Sequence, residues 1–183
     1  VWISDNTEPT ARLNIQEGYS QVFPASTMEA WVTDMGPEYL PLEFRMHVGM
    51  CGALGIGGHL IHWGKEKREQ AAYWIARYKE IRPIIQFGDL YRLRSAQQNP
   101  FSALQYVSKD KKEAELFAFR THQPLIPYVE AQPPVYLRGL NPTATYRVDG
   151  FDETRSGLAW MQIGIEIHLS DYQSTILRIR QIV

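Results

Sequence analysis

Cysteine is nearly missing from this chain of 183 residues: Cys51 stands alone, so no internal disulfide can form. That fits a reducing compartment and gives the expectation of a cytoplasmic protein. Long apolar runs are missing too. No stretch approaches the roughly 18–20 residues of a membrane-crossing helix, so no membrane partner is expected. No basic segment leads into an apolar one as a secretory signal would. Nor is there an excess of either charge: 19 Lys+Arg stand against 20 Asp+Glu, a formal net charge of -1. Without a Lys/Arg-rich run, the electrostatic footprint of a nucleic-acid binder is absent. Several catalytic signatures fail as well. The sequence contains no G-x-S-x-G elbow and no H-E-x-x-H pair. His47, His59 and His62 share no metal-ligand spacing, and one cysteine cannot complete a Cys/His set. No metal and no cofactor are expected.

What is present is the composition of a globular protein, 44% hydrophobic and 21% charged, enough to pack a core. Aromatics make up 12%, with 5 Trp and 10 Tyr; such residues line sugar sites and also simply fill cores.

Two rhythms divide the chain. Residues 1–85 alternate short strands with helices. Residues 1–4 read as the end of a buried strand, which suggests a C-terminal part of something longer. Residues 9–22 read as a helix with Pro9 in its first turn and Leu13, Ile15, Tyr19 and Val22 as its stripe. A strand over 27–33, a helix over 41–50 and a short buried strand over 53–57 follow. The clearest helix runs over 65–82, with Ala71, Ile75, Tyr78 and Ile81 on its apolar face and Pro83 as its stop. This strand–helix repetition predicts an α/β architecture, either the last βα units of a (β/α)₈ barrel or half of a doubly wound sheet. Residues 86–183 carry short alternating runs separated by turn signals such as Asn141-Pro142 and Asp149-Gly150, which predicts an antiparallel β-sandwich without long helices.

Asp5 draws notice because it directly follows the first strand, where α/β barrels place functional groups. The opposing reading is that Ser4, Asp5, Asn6 and Thr7 before Pro9 are ordinary N-cap chemistry. Asp34 has the same placement after the second strand and reads better as a turn former. The glycines of "CGALGIGGHL" do not make a phosphate loop. G-x-G-x-x-G would need glycine where Leu60 stands, and no G-K-[ST] follows; close backbone packing is the better expectation.

Several stretches in order resemble α-galactosidases of glycoside hydrolase family 36: "WISDNTEPTARLNIQEGYSQVFPASTM", "PLEFRMHVGMCGALGIGGHL", "YKEIRPIIQFGDLYRL" and "LRGLNPTATYRVDG". The resemblance implies the C-terminal part of such an enzyme: a (β/α)₈ barrel ending near residue 85, then an antiparallel C-terminal β-sandwich. It implies retaining hydrolysis of terminal α-galactosides such as raffinose and melibiose, by a nucleophile and an acid/base carboxylate. The family's acid/base is the aspartate of W-x-S-D-N/D-T-D, which falls on Asp5; Glu8 stands where the last Asp is usual. Trp2, Ser4 and Asn6 become candidate substrate-binding residues. The nucleophile's K-x-D motif has no match in this chain, so the implied partners are a galactoside and the N-terminal remainder of the enzyme, together with further copies of itself, since family members often form dimers or tetramers. Galactosyl transfer of the raffinose-synthase type and a non-catalytic carbohydrate-binding role are the rival functions.

Overall fold

The computed structural model describes residues 1–33, 40–122 and 132–182. The chain opens against the strand that follows it. The Val1 ammonium donates to the Thr27 carbonyl at 2.6 Å, and the Glu29 N–H donates to the Val1 carbonyl at 3.1 Å. Bonds from one residue to two residues spaced by two are a parallel rung. The strand expected over 1–4 is reduced to this rung. It is not buried either, since Val1 is 75% exposed and Trp2 53%.

Helix α1 (Pro9–Ser20) leads to strand β1 (Glu29–Thr33), helix α2 (Leu42–Met50) and strand β2 (Ala53–Gly57). Strands β1 and β2 pair in parallel, with Trp31 beside Gly55 and Thr33 beside Gly57. The Val1 rung uses the backbone groups of residues 27 and 29, whereas the Met28 carbonyl accepts from the Ala53 N–H. Val1 and β2 therefore flank β1 on opposite edges, and all three run the same way. Ala30 and Val32 point to α2, whose residues 44–50 are all buried. A helix buried all round shows no single apolar stripe, so Leu42, Met46 and Met50 are not its only core residues. Two of the glycines expected to mark close packing do so. A Cβ at Gly52 would sit 2.7 Å from the Met28 carbonyl oxygen, and Gly57 lies equally tight against Trp31.

Helix α3 (Lys65–Phe87) runs straight through Pro83. Proline inside a helix costs about 3 kcal/mol, but stopping at residue 82 would unpack Ile84 and Ile85, which are 7% and 1% exposed in the core beside Ile81 and Tyr78. Packing outweighs the lost backbone bond.

A six-stranded sheet follows: β3 (Asp89–Arg94), β4 (Phe101–Val107), β5 (Glu113–Arg120), β6 (Thr145–Val148), β7 (Thr154–Ser156) and β8 (Ser174–Ile182), in the order β3-β4-β5-β8-β6-β7. All its pairings are antiparallel. Strand β5 shows why the sheet sits between two cores. Its alternate residues Ala114, Leu116 and Ala118 face one core, with Val135, Leu137, Ile165 and Ile167. Phe117 and Phe119 face the other, against Phe44, Val48 and Ile81 of α2 and α3. The runs expected as strands near residues 135 and 165 meet in a single bridge, Val135–Ile165. Ile165 and Ile167 still alternate inward with outward Glu166 and His168, so the polarity pattern holds without a ladder. The short helix α4 (Gly157–Ile163), capped by the Ser156 hydroxyl, interrupts a region expected to lack helix only in the sense of long ones.

Polar ties join α3 to the sheet. Glu115, fully buried, accepts from Arg77 Nη2 at 3.0 Å and lies 3.5 Å from Arg178 Nε. Burial pushes its carboxyl up to about 7 against the pull of both guanidiniums. Between the ordinary carboxyl range and pH 7 the folded chain then holds a proton that the unfolded chain releases. Stability falls as pH rises through that window and levels above it, by up to about 3 kcal/mol. Melting temperatures of wild type and Glu115→Gln across pH 5–8 test this: the wild type should decline relative to the variant, and parallel profiles would refute it.

Candidate active site

The loop leaving the Val1 rung is built by its own side chains. The Ser4 Oγ accepts from the Asn6 N–H at 3.0 Å, and the Asn6 Oδ1 accepts from the Glu8 N–H at 2.8 Å. These are turn-forming bonds that short polar side chains make to nearby backbone. Glu8 then caps α1, accepting from the Thr10 N–H at 3.1 Å, the Ala11 N–H at 2.7 Å and the Thr10 hydroxyl at 2.5 Å. The cap was expected among residues 4–7. A longer carboxylate one residue before Pro9 does the same work, worth about 1 kcal/mol.

With the cap filled by Glu8, Asp5 is spared. It is exposed, and among the described residues it accepts one hydrogen bond, from Trp2 Nε1–H to Oδ1 at 2.7 Å. Among the described residues its second carboxylate oxygen makes no hydrogen bond. Of the four residues singled out from the sequence, Trp2 and Asp5 are brought into direct contact. Ser4 and Asn6 shape the loop between them, their side-chain oxygens engaged with backbone. Asp34 lies outside the described residues.

Two residues that sequence reasoning passed over hold this loop. Arg12, on α1, is 1% exposed. Its guanidinium donates to the carbonyls of Ser4 at 3.2 Å, Asn6 at 3.3 Å and Glu29 at 2.8 Å. The two loop carbonyls flank Asp5, and the third belongs to β1. Burial lowers the Arg12 pKa from its ordinary value, with Glu29 opposing. Trp31, on β1, meets the Trp2 ring at a centroid distance of 4.3 Å and an interplanar angle of 64°. A signal for Arg12 existed in the spacing: Pro9, Arg12, Leu13 and Gln16 are the buried residues of α1, at i, i+3, i+4 and i+7.

The histidines serve elsewhere. His47 is buried, its Nδ1 2.8 Å from the Ser174 hydroxyl and its ring 4.3 Å from Trp74; burial lowers its pKa to about 3 and keeps it neutral. His59 and His62 pair ring to ring at 5.9 Å. Among the described residues, no group of three His, Cys, Asp or Glu side chains is arranged to hold a metal ion.

An exposed carboxylate with one oxygen held by an indole and the other open can donate or accept a proton. Comparison with known proteins identifies the family of the chain as a whole. Residues 1–88 match the melibiase family model, and residues 101–179 match the glycosyl hydrolase family 36 C-terminal domain. A probable alpha-galactosidase C of Aspergillus flavus is 34% identical over 184 residues, covering 97% of this chain and 24% of that protein. The crystal structure of AgaB, a family 36 alpha-galactosidase from Geobacillus stearothermophilus, matches with a TM-score of 0.87 at 30% identity, over 99% of this chain and 25% of that one. A variant of AgaA from the same organism, crystallised with raffinose, matches with a TM-score of 0.88 at 28% identity, over 98% and 25%. The chain thus spans about a quarter of the length of the relatives it matches. Two family models cover nearly all of it in sequence order, the second being that family's own C-terminal domain, and on this evidence the chain belongs to glycoside hydrolase family 36.

Proposed function

We propose that this chain is part of a retaining α-galactosidase acting on terminal α-galactosides of the raffinose and melibiose type. Asp5 is the acid/base. It protonates the glycosidic oxygen as the nucleophile attacks the anomeric carbon, then takes a proton from the water that hydrolyses the glycosyl-enzyme. The nucleophile is a carboxylate of the remainder of the enzyme, about 5–5.5 Å from Asp5, as double displacement requires. This chain alone is therefore inactive. Residues 1–85 supply the last βα units of a (β/α)₈ barrel, and residues 86–183 form its C-terminal antiparallel β-domain, in which the described residues make one six-stranded sheet with a core on each face instead of the two facing sheets of the expected β-sandwich.

The observation that carries this reading is the position of Asp5. It leaves a segment that runs parallel to β1, as β2 does, with the order in space following the order in sequence. Consecutive barrel strands are arranged so, and barrel enzymes gather their reactive side chains just past the C-terminal strand ends. Release of galactose by the complete enzyme, followed by proton NMR from the first turnover of raffinose, tests the mechanism. The α-anomer should appear first and mutarotate afterwards. Initial release of the β-anomer would mean a single displacement and would remove the glycosyl-enzyme from the scheme.

A further inference from the structure

We propose that Trp31 is a positioning residue for this acid/base, acting through Trp2 to hold the Asp5 carboxylate in its working orientation; this rests on the α-galactosidase reading above. Asp5 sits on a loop, not on a strand, and is exposed. Its one partner among the described residues, the Trp2 indole, belongs to a side chain that is itself 53% exposed. Two exposed side chains with no other hydrogen-bond partner among the described residues would swing together. What stops them is the ring of Trp31, 4.3 Å from that of Trp2 and set edge-to-face.

Trp31 is in turn fixed by the backbone. It leaves the middle of β1 on the face opposite Ala30 and Val32, which pack towards α2. On that face, β2 offers Gly55 and Gly57, the register partners of Trp31 and Thr33. A Cβ at Gly57 would lie 2.8 Å from Trp31 Cε3 and 3.0 Å from Cζ3, so the ring occupies the space a side chain would fill. The path from β2 to Trp31, to Trp2, to Oδ1 of Asp5 is continuous, and it ends by leaving the other oxygen free for the proton. Glycine at position 57 is thereby explained by ring placement, not by any turn, since its φ is not in the left-handed region.

The test compares Trp31→Ala, Trp31→Phe, Gly57→Ala and Trp2→Phe in the complete enzyme. Each is assayed on raffinose and on dinitrophenyl α-galactoside, whose leaving group needs no acid, with Asp5→Asn as reference. Trp31→Ala, Gly57→Ala and Trp2→Phe should each lower kcat on raffinose by about 10–100-fold, the scale of a misplaced catalytic group. Their KM for raffinose should hold, and kcat/KM for the aryl galactoside, which reports the glycosylation step alone, should change less than about threefold. Trp31→Phe, which keeps a ring on the glycines, should stay near wild type. Equal losses on both substrates would show a merely structural role and overturn the proposal. So would an unchanged raffinose-to-aryl ratio in Trp2→Phe, a variant at an exposed position that folds even if Trp31→Ala does not. If Asp5→Asn itself shows no dependence on the leaving group, it is the acid/base reading of Asp5 that fails.

Discussion

In the complete enzyme, Asp5→Asn should lower kcat/KM for raffinose by about a thousandfold, within the usual range of general acid–base catalysis. The sugar leaving group departs as a strongly basic alkoxide unless it receives a proton in the transition state. An amide cannot supply one, although it can still accept the bond from Trp2 Nε1, so loop geometry is preserved. A dinitrophenolate leaves unaided, and glycosylation by the aryl substrate should survive. Hydrolysis of the glycosyl-enzyme also needs the carboxylate, now as base. The variant should therefore show a burst of phenolate followed by slow turnover, and azide, a nucleophile that needs no deprotonation, should speed the slow phase. Stopped-flow absorbance measures both. Uniform loss on all substrates, or no loss on raffinose, would remove Asp5 from the role.

The sequence singled out Asp5 through its motif and its place after a run of strand formers. What surrounds Asp5 was harder to read, for identifiable reasons. The stripe read on α1 counted apolar residues and chose Val22, which is 76% exposed and lies beyond the helix end. The face that is buried carries Arg12 and Gln16, whose long side chains satisfy backbone carbonyls from elsewhere; Gln16 donates to that of Val48 at 3.1 Å. Hydropathy cannot register a polar group whose partner is distant in sequence. Trp31 was hidden differently. It looked like one strand former among several, and its meaning lies in two glycines more than twenty residues on. Pro83 misled because a local rule met a stronger tertiary one. By contrast the alternation of Leu177 and Ile179 with Arg178 and Arg180 on β8, and that of residues 165–168, came through intact, since a period of two depends on which face is buried and not on which partner strand is found.

Arg12→Lys should be nearly as damaging as Arg12→Ala, and both should harm activity beyond their effect on stability. A guanidinium presents donors in a fixed fork, and here the fork reaches three carbonyls on two segments. A lysine ammonium is a point charge on a flexible stem and cannot span them. The three carbonyls are only partly buried, so each lost bond costs about 1 kcal/mol, and about 3 kcal/mol is expected for either variant. At about 2–4 °C of melting temperature per kcal/mol for a chain of this size, a drop of roughly 10 °C should be seen by calorimetry. The rest of α1 stays anchored to the sheet, because Glu17 accepts from the Ser95 hydroxyl and the Ala96 N–H, both at 2.6 Å. The damage is thus confined to the segment flanking Asp5, which loses its tie to β1 while Glu8 goes on capping the helix behind it. At temperatures where the variants remain folded, kcat on raffinose should still be reduced by at least about tenfold, since a loosened carboxylate spends less time in reach of the glycosidic oxygen. A variant that melts early but turns over raffinose at the wild-type rate when folded would show that Arg12 supports the fold alone and that Asp5 is aimed by Trp2 without it.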